Sequence, residues 1–265
     1  MLTKKDTYMN KTLLLGGHLP PFNGLEKDIE RAQDLGFTAL QLYTRSDQDW
    51  VKHEKTDAEI KLFRDHLQKS TIKYVLALDP FMKHLGMSEI KRPESMNDLI
   101  ADELGLCDRL GIPYLIIHPG TCSLRSGTLD CITNIAENLN DILGHASGKT
   151  IILLQNMASG GKSILYTFEH LAQLYRDCNY KNRLGVCFDM CAAFASGYDF
   201  GTQEEYEQMW QDFDNVIGLP LLKAIHINDS QEDKGSGVVS HAYLGKGRIP
   251  FEAYRMIMND KRFFT

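Results

Sequence analysis

Seven short apolar runs recur along the chain, separated by segments of helical periodicity, and this alternation restricts the fold more than any other feature of the sequence. The runs are Lys11 to Gly17, Phe37 to Tyr43, Lys73 to Leu78, Ile112 to Ile117, Thr150 to Leu154, Leu184 to Phe188 and Leu221 to Ile227. Helical spacing is read between Gly24 and Leu35, Asp57 and Ser70, Pro93 and Leu110, Leu129 and Leu143, Ser163 and Arg176, Gln203 and Phe213, and Pro250 and Lys261. Strand and helix alternating at about 30–35 residues per unit imply a parallel sheet covered by helices, and without a break in composition the chain reads as one barrel domain over 1–265. An eighth strand is not legible after the last helical segment, so a TIM-type (β/α) barrel with its last strand missing or truncated is expected. Its two outer strand edges would be unpaired.

In such a barrel the functional groups stand where strands end. The strand ends here carry His18, Asp79, His118, Gln155, Asp189 and His226, and His241 follows in the segment after the seventh strand. Asp189 is the most informative. An acid closing a buried apolar strand is costly unless it is paired, solvated or bound to a cation. Imidazoles and carboxylates converging on one mouth suit zinc or manganese. Each residue also has a plain structural reading, as a hydrogen-bonded group on the rim. The Asn228-Asp229-Ser230 run is a good turn or helix cap in its own right.

Composition narrows the function classes. Lys and Arg number 29 against 35 Asp and Glu, a net charge of −6, so nucleic-acid binding would need a local basic patch. No apolar run approaches the roughly 20 residues that span a membrane. Met1 to Asn10 lacks the apolar core of a signal peptide, and a cytoplasmic setting is expected. The six cysteines fit no zinc-finger spacing and are expected to be reduced thiols.

Several stretches together resemble the endonuclease IV family of metal-dependent apurinic/apyrimidinic endonucleases. They are GGHLPPFNGL, YTRSDQDW, DPFMKHLG, IHPGTCSL, LLQNMASGGKS, GVCFDMCAAFASGYD, HINDS and HAYLGKGRIPFEAYRMIMNDKRF, nearly the whole chain. The resemblance implies a TIM barrel, zinc as cofactor, double-stranded DNA with abasic sites as partner, and a role in base-excision repair. Family members hold three zinc ions that activate a hydroxide and neutralise the scissile phosphate. Carried over residue by residue, His118 matches a ligand of the first zinc, Asp189 and His226 match ligands of the second, and His241 matches one of the third.

The remaining family positions are changed. Leu78 stands for a histidine, Gln155 for the bridging glutamate, Ala192 for a histidine and Val239 for an aspartate, while the final glutamate would lie on the missing strand. Four of nine ligands remain, with Gln155 as a neutral oxygen donor. At most one weak, solvent-completed metal is therefore expected at Asp189 and His226. The DNA-reading loops are also changed: Gln48 stands near a basic intercalating residue, and Phe81 and Met82 stand for a tyrosine–leucine wedge. Arg45, Lys83, Lys91, Arg92 and Arg125 offer a basic rim. Three functional readings follow: an endonuclease with altered metal dependence, a non-catalytic homologue or binding protein, and a single-metal sugar isomerase-like enzyme. The ligand losses favour the second.

Overall fold

The computed structural model describes residues 13–20, 24–45, 55–79, 85, 96–122, 127–161 and 163–264. Among them, seven parallel strands form one sheet in the order of the chain: β1 (Gly16–His18), β2 (Ala39–Leu42), β3 (Tyr74–Leu78), β4 (Tyr114–Ile117), β5 (Ile151–Gln155), β6 (Leu184–Asp189) and β7 (Leu222–His226). Helices α1 (Leu25–Asp34), α2 (Asp57–Lys69), α3 (Met96–Leu110), α4 (Thr128–His145) and α5 (Phe168–Asp177) connect them. The short α6 (Met190–Ala195) and the longer α7 (Gln203–Val216) both lie between β6 and β7. A two-residue antiparallel pair, β8 (Asp229–Ser230) with β9 (His241–Ala242), follows β7, and α8 (Phe251–Asn259) comes after it. This is a TIM-type barrel wall in which, among the described residues, no strand joins β7 to β1.

The alternating side chains of the strands build two cores. Leu40, Leu42, Val75, Ala77, Leu115, Ile117, Ile152, Leu154, Val186 and Phe188 pack outward against the helices. There Phe188 lies 5.0 Å from the Trp210 ring and Phe168 lies 5.2 Å from Phe213, joining α5 and α7 to β6. Burying each of these large rings contributes about 2–3 kcal/mol. A smaller inner cluster of Ile116, Leu153 and Cys187, with Leu76, Leu78, Tyr114 and Ala224, fills the lumen. Gly185 is required where β5, β6 and β7 approach closely: a Cβ there would lie 2.8 Å from the Leu153 side chain and 3.1 Å from the Leu221 carbonyl.

Helix starts follow their sequence signals. Thr56 with Glu59 and Thr202 with Glu205 form reciprocal capping boxes at α2 and α7. Several expectations are corrected. β1 is confined to Gly16–His18 and the preceding residues 13–15 are not strand. α5 starts at Phe168, not Ser163, because Ser163 bridges antiparallel to Thr121 and Leu165 has φ +65°. Cys122 and Cys131 are joined in a disulfide, against the expectation of six reduced thiols, while Cys107, Cys178, Cys187 and Cys191 are free and buried. No helix among the described residues is long and apolar enough to cross a membrane.

Candidate metal centre and its hydrogen-bonded replacement

Strand alternation places the chemistry. Two residues beyond lumen-facing Ile116, Leu153, Cys187 and Ala224 come His118, Gln155, Asp189 and His226, so all four continue the lumen face into the mouth. Gln41, between outward-facing Leu40 and Leu42, points inward from β2 by the same rule.

Asp189 is the hub. It is 2% exposed, ends β6 and is the N-cap of α6, with Oδ1 accepting from the Ala192 N–H at 2.8 Å. Its Oδ2 accepts from Asn228 Nδ2 at 2.8 Å and from Gln155 Nε2 at 3.4 Å, and lies 3.5 Å from His226 Nδ1. Asn156 fixes the Asp189 backbone from both sides, donating to its carbonyl at 3.1 Å and accepting from its N–H at 2.6 Å. Burial pushes the carboxyl pKa up, but His226, the Ala192 N–H and Asn228 outweigh it and hold it below the ordinary value.

His226 is held on both sides. Its Nε2 lies 2.7 Å from Gln41 Oε1, and its Nδ1 faces Asp189. Both ring nitrogens thus face acceptors, which suits the doubly protonated imidazolium. Burial alone would lower its pKa, yet the neighbouring Asp189 carboxylate raises it above 6.5. Gln41 Nε2 in turn sits 3.1 Å from His18 Nδ1, and His18 packs edge-on to Tyr43 at 4.5 Å. Burial and the neighbouring His226 lower the His18 pKa. The sequence reading missed Gln41, and its inward direction in a strand of alternating Leu and polar residues was the signal for it.

The five expected metal-site residues come to one mouth in different ways. Asp189, His226 and Gln155 are in direct contact. His118 lies near enough to feel Asp189, His226 and His241, and its pKa is lowered, chiefly by burial. His241, on β9, joins through Asn228, whose Nδ2 lies 3.3 Å from His241 Nε2. Gln155 is 6% exposed, and its Oε1 is buried without a hydrogen-bond partner among the described residues.

A zinc site needs several converging donors with free lone pairs. Among the described residues no group of three or more His, Cys, Asp or Glu side chains could hold a metal ion. Asp189 Oδ2 already faces Asn228 Nδ2, Gln155 Nε2 and His226 Nδ1. The donor set present therefore does not fit a three-zinc cluster.

The loops around the mouth are tied to the scaffold. Asp229 accepts from the N–H groups of Ser230, Gly247 and Ile249 at 2.8, 2.8 and 3.1 Å, pinning the segment after β7. Arg45 is not part of a solvated basic rim, because its Nε pairs with buried Glu103 of α3 at 2.9 Å and Thr44 donates to the same carboxylate. Gln48, Phe81, Met82, Lys83, Lys91, Arg92 and Arg125 lie outside the described residues.

Residues 29–264 match the family described as a xylose isomerase-like TIM barrel. A protein of Chloroflexus aurantiacus named probable endonuclease 4 is 35% identical over 249 residues, covering 94% of this chain and 87% of its own. A namesake in Chloroflexus aggregans is 34% identical over the same extent. Among solved structures, endonuclease IV from Thermus thermophilus superposes with a TM-score of 0.80 at 29% identity, covering 92% of this chain and 87% of that one. A D-tagatose 3-epimerase-like protein, at 20% identity and a TM-score of 0.63, shares the fold. The match over nearly the full length, together with the barrel and its polar mouth, places the chain in the endonuclease IV family of xylose isomerase-like TIM barrels.

Proposed function

We propose that this protein is a DNA-repair homologue of the abasic-site endonucleases in which phosphodiester hydrolysis is impaired. One observation carries this reading: the Asp189 carboxylate is satisfied by Asn228, Gln155, His226 and the Ala192 N–H, where a hydrolytic metal centre needs free donors. In a barrel of this type the metal would supply the attacking hydroxide and neutralise the phosphate. Here the protein's own groups are bound to one another instead. His226 and Asp189 form an internal ion pair, Gln41 and Asn228 orient it, and His118 stands beside it. None of these groups is poised to generate a hydroxide. The reading thus keeps the family's ligand, abasic duplex DNA, and gives up its chemistry.

The test is a nicking assay on an end-labelled duplex bearing a tetrahydrofuran abasic analogue, with zinc or manganese supplied and an active endonuclease IV alongside. The expected result is no nick above the protein-free control. Metal-dependent cleavage on the 5′ side of the analogue, at a rate near that of the active enzyme, would overturn the proposal.

A further inference from the structure

Outside the Asp189 network, the segment after β7 presents a second feature that the hydrolytic reading does not use. Tyr243, Leu244, Gly245 and Lys246 form a tight turn closed by the Lys246 N–H donating to the Tyr243 carbonyl at 2.9 Å. Gly245 sits at φ +72°, which the turn requires at that position. The turn leaves Tyr243 89% exposed and Leu244 also exposed. The Tyr243 ring is thus open to a flat partner, and a tyrosine offers such a partner an apolar face with a polar tip. The turn is rigid because Asp229 holds Gly247 and Ile249 just beyond it, and because Gln231 Nε2 donates to the His241 carbonyl at 2.8 Å at its base.

Tyr243 and Lys246 line one wide-open surface cavity together with Gln231, His241 and Ala242. The Lys246 ammonium has no carboxylate partner among the described residues. The neighbouring cations differ: Lys234 is paired with Asp199 and Arg248 with Asp233. An open aromatic face beside an unpaired ammonium is complementary to a flat ring that carries an anion, which is the makeup of a nucleotide unit. His241 also connects this cavity to the mouth through Asn228.

We propose that Tyr243 and Lys246 form a nucleotide-stacking site at the rim of the barrel, with Tyr243 stacking on an unpaired base and Lys246 contacting the adjoining phosphate. The site needs no metal. It rests on the proposed reading that the protein retains DNA as its ligand, and it adds the residues by which DNA would be held when hydrolysis is lost. Stacking tolerates any base, so the site favours single-stranded or locally opened DNA over an intact duplex without reading sequence.

The experiment is fluorescence anisotropy with the full chain and three labelled probes: a single-stranded oligonucleotide, a duplex bearing a tetrahydrofuran abasic analogue, and the intact duplex, each across a salt series. Wild-type protein is expected to bind the first two more tightly than the third. Tyr243→Ala is expected to weaken both by about tenfold or more, while Tyr243→Trp retains binding. Lys246→Met is expected to flatten the salt dependence by about one unit of slope. Binding by wild type with no loss in Tyr243→Ala would overturn this site and leave the retained-DNA reading standing. No binding of any probe at low salt would overturn both. The nicking assay addresses hydrolysis separately, and cleavage there would leave the stacking result intact.

Discussion

Gln41 Oε1 and His226 Nε2 lie 2.7 Å apart, so a side chain from β2 grips one from β7 across the barrel mouth. His226 thereby has an acceptor on each side, Gln41 on one and Asp189 on the other. A protonated His226 would set one positive charge between these two acceptors, beside the Asp189 carboxylate.

The pair makes stability depend on pH from both directions. His226 has its folded pKa raised above 6.5, so its contribution is full below that value and is lost as pH rises through the folded pKa. Asp189 has its folded pKa held below 3.8, so its contribution is full above that value and is lost as pH falls through the folded pKa. Thermal unfolding followed across pH should show highest stability between these limits. Asp189→Asn should flatten the profile and cost about 1–3 kcal/mol near neutrality, because His226 then loses the carboxylate that holds its proton. An unchanged melting temperature in Asp189→Asn would refute the pairing.

Gln155→Glu sets a second carboxylate beside Asp189, at a position where Gln155 Nε2 lies 3.4 Å from Asp189 Oδ2. Without added metal, like-charge repulsion in a buried site should lower the melting temperature. With zinc or manganese, the variant should recover by binding the ion, since ligand binding to the folded state stabilises it. The wild-type protein should show little shift under the same conditions. Thermal-shift curves with and without metal check this, and an equal metal shift in both proteins would count against it.

The disulfide makes a direct prediction. With Cys122 joined to Cys131 and four cysteines free, denatured protein should titrate four thiols before reduction and six after it. The bridge closes a loop of sequence separation 9. Reduction should therefore lower stability by about 2–3 kcal/mol. Six thiols without reductant would show that the bridge is not formed.

The segment after α8 is latched to α7 by side chains. Tyr206 donates to Asp260 at 2.8 Å, Arg262 bonds the same carboxylate at 2.8 and 2.9 Å and reaches Glu207 at 3.0 Å, and Phe263 lies 4.8 Å from Trp210. Tyr206→Phe removes one hydrogen bond and leaves the Arg262 fork in place. It should cost about 1 kcal/mol in urea unfolding. Arg262→Ala removes the fork and the cation over the Tyr206 ring, and should cost more.

Much of this arrangement was legible in the sequence. The apolar run ending at Asp189 identified β6 and its buried acid, and the strand ends named His118, Gln155 and His226 in the right place. The sequence could not give the partners. Asp189 reads equally as a metal ligand or a helix cap until Ala192 and Asn228 are seen to fill its oxygens. Gln41 escaped notice because it is one polar residue inside a short alternating strand. The β8–β9 pair has two residues on each side, too few to carry a period. Cys122 and Cys131 pair because Cys122 lies beside the first turn of α4, which their spacing does not encode. Ser163 lies in a helix-like stretch, but its bridge to Thr121 and the left-handed Leu165 delay α5 to Phe168.

Less than about one zinc per chain is expected in elemental analysis of protein purified without added metal and without chelator, because Asp189 and His226 are committed to each other and too few free donors remain. About three zinc ions per chain, the complement of a full hydrolytic cluster, would contradict it.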